Sequence, residues 1–159
     1  MINVVSWGYE SIGETSYKET DLFRRDPGQS QEQFLAAYLA EQRGKELAVI
    51  AELAHHIKTA EKKIWMITMV TKQDLWWDRR AEVRDYYEQG PYSASIGEIA
   101  AARGSQNFRH EFLSASLVIH NFRSGQGEPL AENIGGYDEV IQAQNQANLL
   151  RTITAFAQR

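Results

Sequence analysis

Apolar residues gather into three short runs rich in β-formers, separated by stretches with helical spacing. Residues 2–7 (Ile-Asn-Val-Val-Ser-Trp), 64–70 (Ile-Trp-Met-Ile-Thr-Met-Val) and 112–120 read as buried strands. Residues 31–60 read as a long helix, with Phe34, Ala37, Tyr38 and Glu41, then Leu47, Ile50, Leu53, Ala54 and Ile57, at helical spacing. The stripe slips near Gly44, which predicts a bend there. A short helix over 78–88 closes at Gly90-Pro91, and a second over 96–103 ends at Gly104. Residues 137–157 form a terminal helix whose apolar positions are Val140, Ile141, Leu149, Leu150, Ile153 and Phe156. Residues 8–30, with the Asp26-Pro27-Gly28 turn, and the Gly-rich residues 121–136 are surface loops. Strands alternating with helices predict an α/β fold in three layers, a mostly parallel sheet with helices on both faces.

Composition narrows the class. The 159 residues suit one α/β domain. With no Cys there is no disulfide framework, thiolate metal site or thiol nucleophile. A net charge of -4 argues against a dedicated nucleic-acid binder. The first residues lack the basic and apolar regions of a leader peptide, and no apolar run reaches the ~18 residues that span a bilayer. The expectation is a soluble cytoplasmic protein with no membrane partner. A strand beginning at the first residues also suggests that the domain is incomplete.

The stretch richest in chemistry is Thr71-Lys72-Gln73-Asp74, at the carboxyl end of the second run. Ligands of open α/β sheets bind outside the carboxyl ends of the strands. The tetrapeptide spells [NT]-K-x-D and resembles the guanine-recognition motif of P-loop GTPases. The resemblance implies that the Asp74 carboxylate accepts from N1 and N2 of guanine, that the Lys72 stem lies along the base, and that Thr71 orients the loop. Adenine, with an acceptor at N1 and no donor at C2, is refused. The plain alternative is a solvated strand-to-helix connection with Asp74 as a helix N-cap.

The element order is similar to the second half of a Ras-like GTPase domain, so the expected ligand is GTP or GDP, with Mg²⁺ in an intact domain. The first half is missing: no G-x-x-x-x-G-K-[ST] and no D-x-x-G is present. Gly8-Tyr9-Glu10-Ser11-Ile12-Gly13-Glu14-Thr15 fits the phosphate-loop spelling except at its Lys. Glu14 there reverses a charge interaction worth on the order of 4 kcal/mol at ~4 Å. About 55 residues separate Thr15 from Thr71, too few for two switch segments and two further strands. The chain is therefore expected to be a GTPase only when completed by a phosphate-loop half. The family's S-A-K is echoed by Ser114-Ala115-Ser116, but inside the third apolar run. By topology the loop opening at Asn121 and Phe122 is the candidate to meet guanine O6.

Other residues carry weaker signals. Trp76-Trp77 reads as core packing beside the loop. His55-His56 fall on different helix faces and predict no metal site. His110, Glu111 and His120 lack a partnered nucleophile and read as structural or solvated. Glu10, Glu14, Glu19 and Asp21 read as a solvated acidic loop, and Tyr86, Tyr87 and Tyr92 as packing around the Gly90-Pro91 turn. The rival reading is a non-catalytic α/β protein-interaction module, with an exposed edge on the first strand that pairs with a protein partner or in a homodimer.

Overall fold

Three parallel strands lie side by side in chain order: β1 (Ile2–Val5), β2 (Ile64–Val70) and β3 (Phe108–Ser114), with β2 in the middle. This computed structural model describes residues 1–157. Parallel neighbours require long crossovers. The first contains α1 (Asp21–Arg25) and α2 (Gln31–Thr59); the second contains α3 (Arg80–Glu88) and α4 (Pro91–Arg103). After β3 come a small antiparallel hairpin, β4 (Phe122–Arg123) and β5 (Pro129–Ala131), and then α5 (Glu139–Ala157). No helix among the described residues is long and apolar enough to cross a membrane.

Side chains alternate across the sheet. Asn3 and Val5, Met66, Thr68 and Val70, and His110 and Phe112 share the face covered by α2, α3 and α4. There the Asn3 side-chain amide donates to the Tyr92 hydroxyl at 2.6 Å, and Phe112 packs edge-on to Tyr92. Trp65 lies on the other face and meets Phe156 of α5, ring centroids 5.8 Å apart. The sheet is thus layered between helices, as expected. Cover on the α5 side stops short of β1, where Ile2 and Val4 remain 47% and 55% exposed.

α2 starts at a capping box, Ser30 and Gln33 satisfying each other's amides. It runs unbroken through Gly44. The apparent slip arises because its buried positions, Phe34, Tyr38, Gln42, Glu46, Ile50 and Ala54, recur every four residues and include two polar ones. Such a stripe rotates about 40° per step, so the two ends of the helix bury different faces. Phe34 packs on Tyr17 and Phe23, and Tyr38 on Phe122. At the far end Arg103 of α4 donates to the Ile57 carbonyl at 3.2 Å.

Glu46 is the polar centre of the core. Its Oε1 accepts from the amides of Ser6 and Gly8 at 3.0 and 3.1 Å, and its Oε2 from the Tyr87 hydroxyl at 2.6 Å. The Trp7 amide donates to the same hydroxyl at 3.1 Å. Burial, with the Glu46 charge alongside, raises the Tyr87 pKa far above its ordinary value. Trp7 and Gly8 take left-handed backbone angles (φ 53° and 86°) to turn these amides inward. Gly8 is required there, because a Cβ would run into the Leu39 backbone.

Four sequence expectations need correction. The third strand spans 108–114, not 112–120: Arg109 and Glu111 interrupt the apolar pattern, while Leu117 and Val118 prolong it falsely and stand 65% and 62% exposed. Gly90-Pro91 does not only close a helix; Pro91 occupies the first turn of α4, where its missing N–H costs nothing. Residues 8–30 are no mere surface excursion, since Tyr9 and Tyr17 are buried in the core. Residues 121–136 contain the β4–β5 hairpin.

His110 gives the fold a pH dependence. Its Nε2 lies 2.9 Å from the Thr68 hydroxyl, and burial lowers its pKa from 6.5 to about 4. The unfolded chain therefore binds more protons between these values. This contribution is fully present above pH 6.5 and is lost as pH falls towards 4. The expected loss between pH 7 and pH 5 is at most about 2 kcal/mol. Urea denaturation at both pH values should show this extra loss in wild type and not in His110→Gln; equal losses would refute it.

Candidate functional site

The loop after β2 is fastened residue by residue. The amide and hydroxyl of Thr71 both donate to the Val5 carbonyl, at 2.8 and 2.9 Å, tying it to the end of β1. Lys72 adopts a left-handed conformation (φ 56°), unusual for a residue with a Cβ. Its ammonium donates to the Tyr9 carbonyl and stands 5.3 Å from the Phe122 ring centroid. Burial lowers its pKa. Gln73 accepts from Asn145 of α5 at 2.8 Å and donates to the Ser114 hydroxyl at 2.9 Å. The Trp76 indole donates back to the Thr71 carbonyl at 2.9 Å.

Asp74 is fully buried. A buried carboxylate persists only where donors replace water. Here Oδ1 accepts from the Ser116 hydroxyl and Oδ2 from the His120 amide at 3.1 Å. Its carbonyl accepts from the Ile134 amide at 2.7 Å. Asp74 does not cap a helix: it lies in a single 3-10 turn, Gln73–Leu75, and α3 begins only at Arg80.

Ser116 is itself anchored. Its amide donates to the Tyr137 hydroxyl at 3.3 Å, and its carbonyl accepts from Gln142 and Gln146 of α5 at 3.2 and 3.0 Å. The Ala115 amide donates to the Val70 carbonyl at 3.1 Å. Because β3 ends at Ser114, Ala115 and Ser116 of the segment Ser114-Ala115-Ser116 sit just past a strand end. The sequence reading, which held it inside a strand, misplaced it. The shift of the strand was the missed signal. Residues 117–120 follow without regular structure, and the amides of Leu117, Val118 and Ile119 have no partner among the described residues.

Asn121 and Phe122 approach the loop differently from the sequence expectation. The Asn121 side chain accepts from the Asn133 amide at 3.1 Å. Phe122 is a core residue, edge-on to Tyr9 with ring centroids 5.4 Å apart, and it meets the loop through Lys72 rather than Asp74. Trp77 packs edge-on against Tyr137. A groove of about 800 Å³ runs along the outer edge of β3 between α3 and α5, reaching Gln73 but not Asp74.

The turn after β1 is the place where the near-miss spelling would seat a phosphate. The amides of Ser6 and Gly8, after β1, are spent on Glu46. No helix follows Gly13 directly; the next regular element is a single 3-10 turn, Tyr17–Glu19. Among the described residues no group of three or more His, Asp and Glu could hold a metal ion. The amides of Ser6 and Gly8 are therefore not free for a nucleotide's phosphates. Comparisons with family models, curated proteins and solved structures returned no match.

One polar hub escaped the sequence reading. The Glu128 carboxylate accepts from the Ser16 hydroxyl at 2.8 Å, the Ser124 hydroxyl at 2.7 Å and the Tyr17 amide at 3.2 Å. It clips the β4–β5 hairpin onto residues 13–17, where Gly125 lies too close to Gly13 and Glu14 for a side chain. The two hydroxyls, Ser124 first, hold the Glu128 pKa below 4.5. Its contribution is present above pH 4.5 and is lost as pH falls through the depressed value. Glu128→Gln should therefore lower the melting temperature at pH 7, with the gap narrowing as pH falls below 4.5; a gap that does not narrow on acidification would contradict this role.

Proposed function

We propose that residues 71–74 and 114–120 form the guanine-base site of a GTPase-like protein, which recognises the base but does not hydrolyse GTP by this chain alone. The observation that supports this most is the meeting of Asp74 and Ser116 just past the ends of two adjacent parallel strands. In this reading Asp74 accepts from guanine N1 and N2, Thr71 holds the loop on β1, and the Lys72 stem flanks the base. The unpartnered amides after Ser116 supply the donor for O6, the role expected of the loop at Asn121. The phosphates and Mg²⁺ are left to residues outside this chain.

The chemistry predicts a swap of specificity. Asn presents one donor and one acceptor where Asp presents two acceptors. Xanthine, with a carbonyl at C2 and N–H at N1, matches Asn. Titrations followed by tryptophan fluorescence should show wild type responding to GDP and not ADP, and Asp74→Asn preferring the xanthine diphosphate. Equal responses of wild type to GDP and ADP would sink the reading.

The edge of β1 favours a second reading, a non-catalytic interaction module. The carbonyls of Met1 and Val5 point to β2, so the backbone groups of Ile2 and Val4 point outward, beside their exposed side chains. An edge-paired homodimer is the outcome it predicts. Light scattering that gives a monomer mass across a wide concentration range would remove it.

A further inference from the structure

Asp74 offers no surface to a ligand in this conformation. A base edge reaches its carboxylate only if some covering group moves, and most of those groups are fixed. Ser116 is held through its amide, carbonyl and hydroxyl by Tyr137, Gln142, Gln146 and Asp74. Asn121 is held by the Asn133 amide, and Phe122 is locked in the core. Between these anchors, residues 117–120 make two hydrogen bonds to groups outside the segment among the described residues: the His120 amide donates to Asp74 Oδ2 at 3.1 Å, and the Val118 carbonyl accepts from the Ser116 hydroxyl at 2.9 Å. Their one other hydrogen bond is internal, between His120 Nδ1 and the Val118 carbonyl at 3.4 Å. Leu117, Val118 and His120 are exposed.

Resting on the guanine reading above, we propose that residues 117–120 are a lid whose His120 amide stands in for the N1–H of guanine on Asp74. Guanine takes the Oδ2 acceptor from His120 and the lid swings out, while the Ser116 bond to Oδ1 stays and keeps the carboxylate aimed. The lid amides freed of the closed geometry then lie beside the base. Binding is weakened by the fraction of molecules in which the lid is shut. Removing the competing donor should therefore tighten it.

The test is amide hydrogen exchange with and without GDP, together with GDP titration of His120→Pro, which has no backbone N–H. The His120 amide of wild type should be protected in the free protein and lose protection in GDP, while the Ser6 and Gly8 amides on Glu46 keep theirs. The Pro variant should bind GDP roughly tenfold more tightly, as expected for losing one charge-assisted hydrogen bond. GDP binding that leaves the His120 amide protected overturns the lid and spares the base site. Binding by His120→Pro but not by wild type supports the lid in its strongest form. No GDP binding to either protein overturns both.

Discussion

The Glu46 carboxylate is the contact on which the arrangement of this molecule turns. It sits midway along α2, yet it organises the turn after β1 and the end of α3. An ionised carboxylate buried to this degree is costly unless donors surround it. The chain supplies two backbone amides and a phenol, and it bends Trp7 and Gly8 into left-handed angles to aim them. That one requirement fixes where α2 crosses the sheet and how α3 lies against it. It also consumes the amides nearest the end of β1. The Gly8 amide, which opens a loop whose spelling comes within one residue of a phosphate loop, is therefore already taken by the protein's own side chain.

Asp74 and Glu128 repeat this device. Each carboxylate gathers hydroxyl and amide donors from segments far apart in sequence: Asp74 joins the ends of β2 and β3, and Glu128 joins the hairpin to residues 16 and 17. None of the three is in an ion pair among the described residues. The ion pairs present, such as Arg79 with Glu82 and Lys45 with Glu41, are solvent-exposed and contribute little. Loops without a ladder of their own are thus held by carboxylates, while the aromatic core under α2 supplies the bulk of the burial.

The regular elements were legible where period and burial agree. β2 is apolar on both faces and was read with its full length. α2, expected over residues 31–60, spans Gln31–Thr59. The stripe along α2 was obscured because Gln42 and Glu46 are buried polar residues, and nothing local distinguishes a buried Glu from a solvated one. β3 was misread because Arg109 and Glu111 lie on the α5 side of an edge strand, where charge is tolerated. The apolar run Leu117-Val118-Ile119 then claimed the strand. The position of residues 71–74 just past a strand end was legible, because β2 was. That of their partner Ser116 was not, since the error in β3 hid it. Glu128 offered no pattern at all, because its donors are separated from it by more than a hundred residues of chain in two cases.

A binding site whose polar groups are already satisfied loses affinity and gains selectivity. A ligand that displaces the His120 amide must return a donor to Asp74, or it leaves a buried carboxylate oxygen bare. Guanine has two donors on the edge concerned and meets the condition; adenine presents an acceptor at N1 and would leave the oxygen unpaired. The penalty for the wrong base then includes both the missing bond and the cost of the lid, in the manner of sites that reject an analogue lacking one hydrogen-bonding group. Under the guanine reading, the covered state of Asp74 is thus part of how the site discriminates. If the lid opens as proposed, the exposure of Leu117 and Val118 accords with it, since a segment that leaves its seat is not packed into one.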